Sequence, residues 1–118
     1  MIAVSAGVRI VVVAARPVDF RNGLDGLAAR VQQVLRENPF AGDLFVFRAK
    51  RADRVKILAW DGTGLCLFHK RLEKGRFVWP PVQNGGIRLS AAQLGLLLEG
   101  LDWSRVRPRP VIAPVLAG

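Results

Sequence analysis

The sequence has 118 residues, 51% of them apolar, and a formal net charge of +9 at neutral pH. This length suits one domain, and the apolar fraction supplies enough surface for a hydrophobic core, which argues against a chain that is disordered throughout. The charge excess predicts a polyanionic partner, while a single cysteine and a single histidine exclude an internal disulfide and a cysteine-based or paired-histidine zinc site.

The first predicted element is a strand over residues 8–15, where VRIVVVAA is β-branched and almost entirely apolar, as in a strand covered on both faces. Arg9 interrupts this stretch and Arg16 ends it, so no run reaches the roughly 20 apolar residues of a membrane span. The residues ahead of it carry no charged side chain, unlike the basic start of a secretory signal. We therefore expect no membrane partner and a cytoplasmic location.

A helix is predicted next, with Asp19 as its N-terminal cap. Gly23 and Gly26 weaken its first turns, which can instead form an irregular loop, and the dipeptide at 38–39 (Asn-Pro) ends it. The apolar positions recur with helical spacing at Phe20, Leu24, Leu27, Ala28, Val31, Val34 and Leu35.

Beyond residue 39 the pattern becomes extended. Strands are predicted at 44–47, 54–60, 65–72 and 77–79, and residues 61–64 (DGTG) have the composition of a hairpin turn. The simplest arrangement of these segments is an antiparallel meander of about four strands.

A second helix follows a short extended piece at 87–89. Ser90 and Gln93 have the spacing of a capping box, and the apolar stripe of the helix comprises Leu94, Leu97, Leu98 and Leu101. Residues 105–118 combine prolines and arginines without a helical or strand period, which predicts a mobile, flexible tail. The expected fold is a single α+β domain over residues 1–104, with the meander and the N-terminal strand packed against two helices.

The basic residues are concentrated in one part of the chain. Residues 48–76 contain nine basic and three acidic side chains, a net charge of +6. A hairpin about the turn at 61–64 would bring both ends of this segment to one edge of the sheet, where they could contact phosphates with a steep salt dependence. The alternative is a merely solubilising surface, although mixed charges would serve that purpose without self-repulsion. The predicted contacts are Arg48, Lys50, Arg51, Arg54, Lys56, Lys70, Arg71, Lys74 and Arg76.

Aromatic residues interleave with these cations, as they would in a sheet that stacks unpaired bases. A small domain needs large apolar side chains for its core, so most of these rings are expected inside. Trp60 and Trp79 are the candidates for stacking, and Arg76 could lie over an aromatic face instead.

The sequence lacks the residue patterns of common catalytic and metal sites. The carboxylates are scattered and mostly occupy cap or turn positions, whereas two-metal chemistry needs several that converge. The glycines at 23 and 26 have the spacing of a phosphate-clamping GxxG loop, but Asp25 lies between them where phosphate would approach. No phosphate-binding GxxxxGK[ST] loop or GxSxG elbow occurs. We expect no enzymatic activity, no metal and no cofactor.

Three stretches together resemble a known family. They are RPVDFRNGLDGLAARV, PFAGDLFVFRAKRADRVKILAWDGTGLCLFHKRLEKGRFVWP and LSAAQLGLLLEGLDW, and the likeness runs in order from about Val8 to Trp103. They look like TnpB, the accessory protein of bacterial insertion sequences that also encode TnpA and a separate TnpC transposase. This TnpB differs from the RNA-guided nuclease of the same name. The resemblance implies a role that supports DNA transposition, with strand transfer performed by the transposase.

Charge and resemblance together predict an accessory protein that binds duplex DNA, at the element ends, through the basic hairpin surface. The companion transposase and accessory proteins of the same element are its expected partners. Two alternatives remain open. One is a protein-interaction adaptor that recruits the transposase through the leucine stripe or the tail, and the other is an RNA-binding regulator of the element.

Overall fold

The structure, a computed structural model, describes residues 7–12, 17–79 and 86–104. Within these residues the chain forms an α+β fold with a five-stranded sheet and two helices, which confirms the predicted fold class. In chain order the elements are β1 (Ile10–Val12), α1 (Leu24–Arg30), β2 (Leu44–Arg48), β3 (Arg54–Trp60), β4 (Leu65–Arg71), β5 (Ile87–Leu89) and α2 (Ala91–Leu98).

The sheet is mixed and has the strand order β4-β3-β2-β1-β5. β1 and β2 are parallel, and α1 lies in the connection between them, because parallel neighbours require a crossover. The other pairs are antiparallel. β2 lies between β1 and β3, and its apolar run LFVF is buried on both faces of the sheet.

Each face of the sheet packs against one helix. On the first face α1 covers β1, β2 and β3, and the buried side chains are Val11, Val18, Leu27, Ala28, Val31, Phe45, Phe47 and Leu58. On the second face α2, Trp103 and the segment 77–79 cover the same strands, and the buried side chains include Ile57, Phe77, Leu94, Leu97 and Trp103. The apolar side chains of β1 to β4 thus alternate between two separate clusters, whereas Ile87 and Leu89 of β5 both belong to the second-face cluster.

The first helix begins later than predicted. Its N-cap is Gly23, which offers no side-chain hydrogen bond, and Asp19 instead accepts a hydrogen bond from the Arg21 amide (2.9 Å). Residues 19–23 therefore form an irregular loop, which was the expected alternative to early helical turns. After Arg30 the chain continues as a π-helical turn, Val31–Leu35, and Arg36 ends it in the left-handed region with φ of 52°.

The predicted strand at 77–79 is wrong. A fourth strand of the meander would pair with β4, the edge strand of the described sheet, but the chain instead turns through Gly75 (φ 84°) and packs against the second face of the sheet. There the Phe77 amide donates to the Ala52 carbonyl oxygen (2.8 Å), and the Phe77 ring enters the core. The meander therefore has three strands, β2 to β4. The fifth strand of the sheet is β5, which pairs with β1.

The N-terminus of the second helix is as predicted. The Gln93 amide donates to the Ser90 hydroxyl (3.1 Å), and the Ser90 amide donates to the Gln93 side-chain oxygen (2.8 Å), which completes the capping box. Residues 13–15 of the predicted first strand and the predicted tail at 105–118 lie outside the described residues.

Candidate nucleic-acid interface

Two loops meet at one end of the sheet. Because β3 is antiparallel to β2 and to β4, the end of β2, the start of β3 and the end of β4 coincide there. The Leu72 amide donates to the Asp53 carbonyl oxygen (2.9 Å), and Phe77 bonds Ala52, so loops 49–53 and 72–76 are joined. We call this region the basic end and define it by Arg48, Lys50, Arg51, Arg54, Arg71, Lys74 and Arg76.

Most side chains of the basic end reach solvent. Arg48 and Arg54 are half-buried, while the other five are exposed. The two carboxylates on these loops neutralise little of the charge, since Asp53 lies 3.9 Å from Arg54 Nε and Glu73 lies 3.8 Å from Arg71 Nη2. Ion pairs at such distances and exposures are weak. A cationic excess therefore remains on this surface.

Lys56 and Lys70 do not join the exposed cations. Lys56 is only 6% exposed, and its Nζ atom donates to the carbonyl oxygens of Phe20 (2.7 Å) and Asn22 (3.1 Å). Lys70 lies on the other face of the sheet, where its Nζ donates to the Leu98 carbonyl oxygen (2.7 Å) at the end of α2. Both ammonium groups have structural partners, so we omit them from the proposed contact surface.

The two tryptophan candidates occupy different ends of the molecule. Trp60 ends β3, roughly 20 Å along the strand from Arg54, and packs edge-on against Phe40 with ring centroids 5.6 Å apart. Trp79 lies at the basic end, where its Nε1 donates to the Ala52 carbonyl oxygen (3.4 Å). The guanidinium over its ring belongs to Arg48, at 5.7 Å, rather than to Arg76. Trp60 is thus remote from the cations.

One segment that the sequence did not mark also reaches the basic end. Val18 forms a parallel bridge with Ala49, and its amide donates to the Arg48 carbonyl oxygen (2.9 Å). This pairing brings Phe20 beside β3 and β4, with its ring 4.9 Å from Lys56 Nζ and 5.4 Å from the His69 ring. No local pattern predicts the contact, because it joins segments that the α1 crossover separates.

Loop 49–53 separates two surface depressions. The first, the apolar cleft, has a volume of about 590 Å³, with an apolar floor and a cationic rim. The second, the arginine cleft, has a volume of about 540 Å³ and is mostly polar. We use floor for the apolar lining of the apolar cleft and rim for its basic lining. The floor comprises Pro17, Val18, Phe20 and Ala49, the rim comprises Lys50, Arg51 and Arg54, and Asp19 completes the lining. The arginine cleft is lined by Arg48, Lys50, Arg51, Ala52, Asp53, Gly75 and Arg76.

The pKa values of two titratable residues beside the apolar cleft, Asp19 and His69, are shifted by their surroundings. The Arg21 guanidinium, with Nη2 at 2.6 Å from Oδ2, lowers the pKa of Asp19 to about 2, so this carboxylate is ionised and paired with a positive charge at neutral pH. Burial lowers the pKa of His69, and the nearby positive charges of Lys56, Arg54 and Arg71 lower it further. His69 is therefore neutral at physiological pH.

Within residues 7–12, 17–79 and 86–104, no three His, Cys, Asp or Glu side chains form a group that could hold a metal ion. In the same part of the chain, no helix has the length and apolar character needed to cross a membrane.

The described residues define a small basic α+β protein whose cations are concentrated on two joined loops at one end of a mixed sheet. The chain belongs to the IS66 Orf2 like protein family, whose model matches residues 9–108. The predicted family is thereby confirmed, and it gives the protein an accessory role associated with insertion-sequence transposition. The family is not a known catalytic one.

Two relatives come from Sinorhizobium fredii (strain NBRC 101917 / NGR234). The chain is 50% identical over 114 residues to the uncharacterized protein y4jC, and this match covers 97% of each chain. It is 53% identical over 85 residues to the uncharacterized protein y4hO, a match that covers 72% of this chain and 74% of that protein. No solved structure is significantly similar.

Proposed function

We propose that this protein supports transposition by binding duplex DNA at the ends of its element through the basic end. The observation that carries the proposal is the joining of loops 49–53 and 72–76, which gathers exposed cations from both loops on one surface. Duplex DNA presents closely spaced phosphates, and cations held at one surface displace the counterions from them. Phosphate contacts position a protein without reading sequence, so the proposal requires no base-specific side chain.

The second helix gives little support to the alternative function, a protein-interaction adaptor that recruits the transposase. Leu94 and Leu97 are buried in the core on the second face of the sheet, so they cannot also form a docking surface. Of the predicted stripe Leu98 is half-buried and Leu101 is exposed, and a single exposed leucine is ordinary for a protein surface. Recruitment of the transposase is therefore proposed as a consequence of shared binding to the element ends.

The proposal is tested by titrating labelled element-end duplex at several salt concentrations. The variant Lys50→Gln/Arg76→Gln removes one exposed cation from each loop. The matched control Arg36→Asn/Arg88→Gln removes two exposed cations distant from the basic end, and asparagine tolerates the left-handed backbone at position 36. If both test residues contact phosphates, the slope of log K against log salt becomes shallower by about 2 for the test variant and stays unchanged for the control.

Equal affinities and equal slopes for the wild type and both variants would reject the basic end as the binding surface. Competition with single-stranded RNA at the same salt concentration distinguishes the remaining alternative. Stronger displacement by RNA than by unlabelled duplex would favour the RNA-binding regulator.

A further inference from the structure

The two clefts on either side of loop 49–53 differ in chemistry in the same way as the two parts of a nucleotide. The apolar cleft has a floor suited to the faces of a planar ring, whereas the arginine cleft offers guanidinium donors suited to phosphate oxygens. Lys50 and Arg51 line both clefts. One strand of nucleic acid that crosses the loop would meet both environments in succession.

A bound duplex by itself leaves the apolar cleft unexplained. Duplex DNA offers phosphates and sugars at its surface and keeps its bases stacked, so a protein that contacts only its backbone has no use for an apolar depression. The floor combines buried Val18 and Ala49 with half-exposed Phe20 and exposed Pro17. An unpaired base has an apolar face to cover, and aromatic side chains are its usual partners.

The electrostatics of the apolar cleft also suit a base with phosphates nearby. Its carboxylate, Asp19, is paired with Arg21, which reduces the repulsion that an isolated acid would exert on a phosphate. Lys56 places its ammonium group 4.9 Å from the Phe20 ring, and Lys50 and Arg54 stand at the rim. The charged groups around the cleft therefore carry a net positive charge, while its floor remains apolar.

The arginine cleft brings together three arginines, Arg48, Arg51 and Arg76. Arg48 Nε is buried and makes no hydrogen bond within the described residues, while the guanidinium carbon lies 5.7 Å from the centroid of the Trp79 ring. Arg76 lines the same cleft, and Gly75 leaves the backbone there without a side chain. Asp53 is the acid of this cleft, and its buried Oδ1 lies 3.9 Å from Arg54 Nε. The exposed guanidinium groups of Arg51 and Arg76 are the donors open to a phosphate oxygen in this cleft.

We propose that the basic end recognises DNA that carries an unpaired nucleotide at its end, with the unpaired base in the apolar cleft and a neighbouring phosphate in the arginine cleft. This inference rests on the proposed DNA binding and narrows its substrate from duplex in general to a duplex with a frayed or overhanging end. Phe20 supplies the ring on which the base stacks. Arg51 and Arg76 hold the phosphate.

The test compares two labelled duplexes of equal paired length, one blunt and one with a single unpaired 2-aminopurine nucleotide at its end. The wild type is expected to bind the overhanging duplex about fivefold or more tightly than the blunt one, which corresponds to the lower range of base–aromatic stacking. The 2-aminopurine fluorescence is expected to be quenched on binding because the base stacks on Phe20. Phe20→Leu is expected to lose the preference and the quenching while keeping its affinity for the blunt duplex.

Phe40→Leu is the matched control, since Phe40 is an exposed ring that lies beside Trp60 at the other end of β3. It should keep both the preference and the quenching. If Phe20→Leu melts at a much lower temperature, Pro17→Ser provides a second variant at an exposed position of the same cleft, and its preference should also fall.

The outcomes separate this inference from the proposed function. Equal binding of blunt and overhanging duplexes by the wild type, with no change in fluorescence, would overturn the unpaired-base site and leave duplex binding intact. Failure to bind either duplex would overturn the proposed function itself. Loss of the preference in Phe40→Leu as well would also reject the apolar cleft as the site.

Discussion

Replacing Lys56 by methionine tests whether this lysine stabilises the fold or contacts DNA. The substitution keeps most of the aliphatic chain but removes the ammonium group that bonds the carbonyl oxygens of Phe20 and Asn22. These two bonds hold the segment before α1 against β3, and Lys56, which makes them, is only 6% exposed. The expected result is therefore a loss of stability, with little effect on DNA affinity in the folded protein.

The magnitude follows from the two hydrogen bonds. A hydrogen bond from a charged donor contributes about 1.5–3 kcal/mol, and removing the ammonium group also relieves its desolvation, which offsets part of the loss. We expect the free energy of unfolding to fall by about 2 kcal/mol, which lowers the urea midpoint by about 1 M for a small domain.

The assay is urea unfolding followed by tryptophan fluorescence, together with the salt dependence of duplex binding. Lys50→Met is the matched control, because Lys50 is exposed. Its free energy of unfolding should change by less than about 0.5 kcal/mol, whereas its salt slope should become shallower by about 0.9. An unchanged urea midpoint for Lys56→Met, combined with a shallower salt slope, would show that Lys56 contacts phosphate and that its bonds to the backbone contribute nothing.

Three further predictions concern stability. Ser90→Ala removes the hydroxyl that caps α2 and should lower the free energy of unfolding by about 0.5–2 kcal/mol in the same urea assay. Gly86→Ala would place a Cβ atom 2.3 Å from Val11 Cγ1, and relief of this overlap should lower the free energy of unfolding by about 1–3 kcal/mol. An unchanged melting temperature would show that Val11 moves aside without a loss of stability. His69 has a lowered pKa in the fold, so the unfolded chain takes up its proton first on acidification. Stability should therefore decline as the pH falls through the ordinary histidine pKa of about 6.5, and His69→Gln should reduce that decline, as measured by melting temperature at each pH.

The local elements were predictable because neighbouring residues encode them. β3 and β4 follow from alternating and apolar runs about a turn in which Asp61 accepts hydrogen bonds from the Thr63 and Gly64 amides (both 2.9 Å). The capping box at Ser90 follows from the spacing of two side chains. The same hairpin geometry places Arg54 directly opposite Arg71, as the charge argument expected.

Which side chains are buried, and what they contact, could not be predicted from neighbouring residues. Lys56 lies on a strand face that looks solvated by sequence, but the segment 17–22 covers that face and supplies two carbonyl oxygens. Phe77 lies in a segment with strand composition, yet its ring packs into the core and its amide donates to the Ala52 carbonyl oxygen, so the segment does not pair with the edge strand β4. In both cases the deciding contact joins residues that are distant in the chain, so no local window contains it.

The sequence by itself determined the family, the fold class, the limits of β3 and the concentration of positive charge between residues 48 and 76. Only the tertiary structure decided which of those charges face solvent and which ones bond the backbone. The physical reason is that helical and strand periods depend on adjacent residues, whereas burial depends on which segments pack together. The bridge between Val18 and Ala49, which creates the apolar cleft, is a product of that packing.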